Sequence, residues 1–206
     1  MKPTSLAAML VSTFTALILV GSNAAAGERT PLRIGFVDPA LPGPTPERNA
    51  AALEFAATQG QAVRIRPGIA GGWQNAETRP AAPEEFDVVW FHQGDDPRAA
   101  VLPEGAVGDL YEYVELGGVL LVSGAAGRLV NDLGIEPTPA RILPPTAAAY
   151  LTGLRVVEKH RNHPAFTGLD TSKVIMLTSL GGNALADFYD TAGPHGDLLA
   201  DRKSVV

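Results

Sequence analysis

FDVVWFH, Phe86 to His92, is the most β-prone run in the chain, and Gln93-Gly94-Asp95-Asp96-Pro97 breaks it at once. Beyond it, Val107, Leu110, Tyr111 and Val114 recur at i, i+3, i+4 and i+7, which predicts a helix with one apolar stripe, ended by Gly117-Gly118. Val119 to Val122 then reads as a strand closed by Ser123-Gly124. A short helix follows, with Leu129, Val130 and Leu133 inward and Gly134 as its C-terminal cap. Before the central run, LRIGFV (Leu32 to Val37) is a short apolar stretch that reads as a buried strand ending in Asp38. A loop from Leu41 leads to Thr45, which is expected to cap a helix with Pro46 at its first position and Glu47 in its first turn. Ala52, Phe55 and Ala56 share one face of that helix, and Gly60 ends it. AVRIR (Ala62 to Arg66) alternates, as a strand nearer an edge does, and residues 67–85 read as one long loop.

This alternation predicts a mainly parallel α/β sheet with helices on both faces. The first, third and fourth strands are the most apolar, so they are expected side by side in a 2-1-3-4 order. Leu154 to Lys159 and Val174 to Leu177 are later strand candidates, and residues 135–150, with their four prolines, read as an irregular excursion.

The N-terminus predicts export. Lys2 is a short positive region, Leu6 to Val20 is free of charge, and Gly21, Ser22 and Ala24 to Ala26 are small enough for a signal peptidase. The apolar run is about 15 residues, short of the roughly 20 that span a bilayer. Residues 1–26 are therefore expected to be a cleaved signal peptide and residues 27–206 a single domain that is secreted or periplasmic, with no stable membrane insertion after cleavage. Loss of Lys2 with the leader takes the formal charge from −6 to −7, which argues against nucleic acid as a partner. The chain has no cysteine, so disulfides, thiolate metal sites and cysteine nucleophiles are excluded. No cofactor and no metal site is expected, since the four histidines form no pair at helical ligand spacing.

The segment order FDVVWFH, YVELGG, VLLVSGAAG, followed by NHPAFTGLD (Asn162 to Asp170), resembles the class I glutamine amidotransferase-like superfamily, nearest to ThuA-like domains linked with sugar use. The resemblance spans roughly residues 32–170 and implies a flavodoxin-like three-layer sandwich. Family-like domains continue with one or two more strands. The stop at Val206 therefore leaves two readings: a sheet truncated in a fragment of a longer protein, or an end in unrelated residues. In catalytic members the fourth strand leads into a strained turn, Gly-x-Cys-x-Gly, that carries the nucleophile. The matching stretch here is Ser123-Gly124-Ala125-Ala126-Gly127, with Ala125 where the cysteine would stand. A methyl group cannot attack an amide, and no His-x-Glu pair completes a triad. The resemblance therefore implies a non-catalytic domain that binds a carbohydrate or a protein partner.

In open α/β sheets ligands sit beyond the carboxyl ends of the strands. Asp38, His92, Ser123 and Arg128 are the ligand-binding candidates there, and His92, Asp95 and Asp96 are the candidates for acid–base chemistry. That trio carries the alternative function, a carbohydrate-active hydrolase or sugar-modifying enzyme. Ser123, with no base identifiable nearby in sequence, reads as a strand-end serine bonding the next turn. Arg128 reads either as an anion holder or as an exposed helical arginine, and Trp73 either as a sugar-stacking ring or as a buried base for its loop. His163 is expected to cap the Pro-Ala-Phe turn.

Overall fold

The structure is a computed structural model that describes residues 30–93, 101–135, 141–142, 152–173, 175–177, 187–188 and 200–204. The leader and the pair Asp95 and Asp96 lie outside the described residues.

The first half of the chain runs β1 (Arg33–Val37), α1 (Glu47–Gln59), β2 (Gln61–Pro67), β3 (Trp73–Asn75) and β4 (Val88–Gln93). Then come α2 (Glu104–Glu115), β5 (Val119–Gly124), one 3-10 turn over Ala125–Arg128 and the single-turn α3 (Leu129–Asp132). The five strands form one mixed sheet in the order β3-β2-β1-β4-β5. Its β2-β1-β4-β5 core is parallel throughout, as the apolar runs predict. The stretch expected to be one long loop instead folds back as β3, antiparallel to β2. Gly71 and Gly72, both at positive φ, make the reversal, and the buried Trp73 anchors the returning strand.

Side chains alternate across this sheet and feed two cores. Ile34 and Phe36 pack against Ala52 and Ala56 of α1 on one face. Val37, Ile65, Val89, Phe91 and Val122 pack on the other, against Leu110 of α2 and Leu129 of α3. The chain is therefore an α/β fold with helices on both faces of the sheet.

Three local details differ from expectation. Thr45 does not cap α1, because its hydroxyl donates to Asp38; Pro46 stands at the N-cap with no side-chain bond. Gly60 ends α1 in an extended conformation (φ 176) rather than a left-handed one, and is small because a Cβ there would run into the carbonyl oxygen of Leu32. On α2 the buried stripe is Ala106, Leu110 and Tyr113, whereas Tyr111 is exposed. Tyr113 goes inward because its hydroxyl finds partners there: it accepts from the Val119 N–H (3.1 Å) and lies 3.2 Å from the Phe86 carbonyl. Gly118 leaves the room for that ring.

Later strands lie outside the parallel sheet. β6 (Arg141–Ile142) pairs with β9 (Asp187–Phe188). β7 (Thr152–Val156) pairs antiparallel with both β8 (Ile175–Leu177) and β10 (Ala200–Ser204). The strand expected over Leu154 to Lys159 stops at Val156, and Glu158–His160 is a 3-10 turn. Among the described residues no helix is long and apolar enough to cross a membrane.

Candidate functional site

The site is built by register. Val37 pairs with Phe91, and Phe91 with Val122, so the next residue on each strand falls in one row: Asp38, His92, Ser123. Neighbouring strands lie about 4.8 Å apart, so the row places Asp38 one strand spacing from His92. His92 and Ser123 are themselves ladder partners. All three residues share parity with Ile34 and Phe36, and so face α1 at the carboxyl edge of the sheet.

The buried polar residues converge on this edge. Among the described residues they are Asp38, Asn49, His92 and Gln93, which stand after β1, in the first turn of α1 and at the end of β4. Elsewhere the core is apolar. Burying polar groups is unfavourable unless each is satisfied, so their confinement to one sheet edge marks that edge as a place built for more than packing.

Within the edge, two closed pairs flank the gap between β1 and β4. On the β1 side Asp38, fully buried, accepts from the Ala40 N–H (3.0 Å), the Thr45 hydroxyl (2.8 Å) and Arg64 Nε (2.9 Å), while Arg64 Nη2 lies 2.8 Å from the same carboxylate. Arg64 also donates to the Gly43 carbonyl (2.6 Å) and Arg66 to the Leu41 carbonyl (2.7 Å). Two cations from β2 and one carboxylate from β1 thus tie down the 38–45 loop. Asp38, expected at the ligand, has every described contact spent on shaping that loop.

On the other side Ser123 Oγ sits 2.8 Å from His92 Nδ1 and accepts a hydrogen bond from Trp90 Nε1–H (2.9 Å). The indole N–H can only donate. With the imidazole proton on Nε2, Ser123 Oγ–H donates to Nδ1 while Oγ accepts from Trp90; with the proton on Nδ1, Oγ accepts from both rings. Ser123 therefore does not bond the next turn, as its place at a strand end suggested. It bonds across the sheet, because the parallel register sets it opposite His92. Trp90 is fixed in turn by edge-on contacts with Phe36 (5.7 Å between centroids), Phe55 (6.2 Å) and His92 (6.2 Å).

The turn after β5 carries its positive-φ residue at Gly124 (φ 63, ψ −141), one position before Ala125. That region is tolerated by glycine and strained for other residues, so the conformation associated with a projected nucleophile is here held by a residue with no side chain. Arg128 is exposed. Trp73 is buried in the core and donates its indole N–H to Asp109 (3.0 Å), which removes it as a stacking platform. His163 caps the Pro164–Phe166 turn as expected, its Nδ1 accepting from the Ala165 N–H at 3.2 Å. Among the described residues no group of three His, Cys, Asp or Glu is placed to hold a metal ion. The residue that sequence reasoning missed is Trp90. Its signal was the i, i+2 spacing to His92, which puts both side chains on one face of a strand.

Compared with family models, with curated proteins and with solved structures, the chain matches none.

Proposed function

We propose that this chain is an exported, flavodoxin-like domain related to the ThuA-like branch of the amidotransferase-like superfamily, and that it binds a carbohydrate at the carboxyl edge of its sheet. The convergence of Asp38, Asn49, His92 and Gln93 on that edge carries the reading. Asn, Gln, His and Ser side chains both donate and accept, which suits the hydroxyls of a neutral sugar. Among the described residues the one buried carboxylate at this edge, Asp38, is paired with Arg64, which suits a neutral ligand. A protein partner is the other ligand class. The amidotransferase reaction is excluded from the proposal on chemical grounds, because Ala125 and Gly124 supply no nucleophile.

The test is calorimetric binding of the mature protein to a panel of mono- and oligosaccharides, repeated with His92→Ala and Asp95→Ala. Binding by the wild type that weakens in either variant supports the reading. Binding and stability unchanged in both would sink the site. No ammonia should be released from glutamine, and Ala125→Cys should not restore release. Secreted protein should begin near Gly27; intact Met1 in a membrane fraction would overturn the export reading.

The Ser123–His92 contact favours a second reading, hydrolysis, developed next.

A further inference from the structure

We propose that Ser123 is the nucleophile, and His92 the base, of a pair that hydrolyses an acyl ester carried on the bound ligand. The inference rests on the carboxyl edge being the ligand site, and adds a substrate class to it. Ser123 was unpromising in sequence because no base could be named. The fold supplies one at 2.8 Å, from a residue 31 positions away.

Three features make the pair more than a strand-end hydrogen bond. First, Trp90 N–H fills one acceptor site of Ser123 Oγ, and in the Nε2–H tautomer of His92 the Oγ–H points at Nδ1 at 2.8 Å, the polarity general-base catalysis requires. Second, a donor on Oγ stabilises the oxygen as it loses its proton. Third, Ser123 is partly exposed while His92 is more than nine-tenths buried, so the nucleophile faces the site and the base stands behind it. The chemistry also narrows the substrate. Glycosidic hydrolysis commonly uses two carboxylates, and among the described residues this edge holds one, Asp38, which is engaged with Arg64. A serine paired with an imidazole instead attacks a carbonyl carbon, and sugar hydroxyls present carbonyls as esters.

The steps balance. Ser123 Oγ bonds to the ester carbonyl carbon as its proton passes to His92 Nδ1. The carbon–alkoxy bond breaks, and the alcohol leaves with that proton. Water then attacks the acyl-serine, giving one proton to His92 Nδ1. The carbon–Oγ bond breaks, Ser123 regains its proton, and a carboxylic acid leaves.

The experiment uses the purified mature protein, a fluorophosphonate probe and p-nitrophenyl acetate. One label per chain should map to Ser123 and disappear in Ser123→Ala, with ester turnover falling in parallel. His92→Asn keeps an amide near the position of Nδ1 but accepts no proton, so turnover should fall on the order of a hundredfold at an unchanged melting temperature. Absence of labelling, or equal turnover in wild type and Ser123→Ala, overturns the proposal. A further variant guards against misfolding. The chain has no cysteine, so Ser123→Cys carries its sole thiol. Iodoacetamide should alkylate it well below the ordinary thiol range, near 8.5, because the imidazole holds the thiolate. An ordinary thiol pH profile in Ser123→Cys overturns the pair, whether or not His92→Asn folds. Carbohydrate binding without labelling overturns this inference alone, whereas loss of both overturns the binding reading as well.

Discussion

Asp38→Ala removes the carboxylate on which the β1–α1 loop is hung, and its cost can be worked from the contacts. The fully buried side chain accepts from Ala40, Thr45 and Arg64 Nε, and pairs with Arg64 Nη2 at 2.8 Å. Removing one partner of a buried ion pair costs about 3–5 kcal/mol, chiefly because the other charge is left uncompensated. The Arg64 side chain is 22% exposed and keeps its bond to the Gly43 carbonyl, so water and that carbonyl offset part of the loss. The low end, about 3 kcal/mol, is expected. In a chain of this size each kcal/mol moves Tm by about 2–4 °C, so Tm should fall by about 6–12 °C. Asp38→Asn keeps the shape and an acceptor oxygen and should cost about half as much. Arg64→Met should cost at least as much as Asp38→Ala, because the charge it strands is the fully buried one. Thermal and urea unfolding, followed by circular dichroism on the two single variants Asp38→Asn and Arg64→Met and on their double, measures the coupling, expected near 2 kcal/mol. A cost under about 1 kcal/mol for Asp38→Ala, or simple additivity in the cycle, would refute the assignment of Asp38 to the loop.

Other expectations follow from single contacts. Gly108→Ala, in the interior of α2 with nothing near the new methyl, should stabilise by about 0.5–1 kcal/mol, whereas Gly118→Ala drives a Cβ into the Tyr113 ring and should destabilise by more than that; chemical unfolding separates the two. Burial raises the pKa of the Tyr113 phenol above its ordinary value, so the stability it lends is fully present below pH 10 and is lost as pH rises through the raised value. Ultraviolet titration should show one of the four tyrosines ionising last, and Tyr113→Phe should remove that step. The Ser172 hydroxyl, and then Lys173, hold the exposed Asp170 carboxyl down to about 2, so the turn's contribution is present above the ordinary carboxylate value and fades as pH falls toward 2. Carboxyl carbon shifts should titrate there, and Ser172→Ala should move the midpoint up.

The parallel core was legible because it rests on local physics. Val88 to Phe91 and Ile34 to Val37 are apolar on successive residues, and such runs suit strands buried on both faces in the middle of a parallel sheet. Connections of helical length between them then dictate parallel neighbours, and the expected adjacency of β1, β4 and β5 appears in the structure. The turn at Gly124 was equally local, and so was the absence of any reactive group on Ala125, since a methyl group has no chemistry in any fold.

The partnerships at the site belonged to tertiary structure, because they join residues far apart in the chain. Thr45 looked like a helix cap from its neighbours, yet its hydroxyl goes to a buried carboxylate that arrives from β1. Tyr111 and Tyr113 are two residues apart on α2. Which one turned inward depended on Phe86 and Val119 offering backbone partners and on Gly118 standing aside. Ser123 gained His92 and Trp90 only through the β4–β5 register, where a slip of one residue would send Ser123 to the face opposite theirs. Sequence determined which segments are strands and which chemistry the chain lacks. The alignment of those strands decided which of its polar side chains meet.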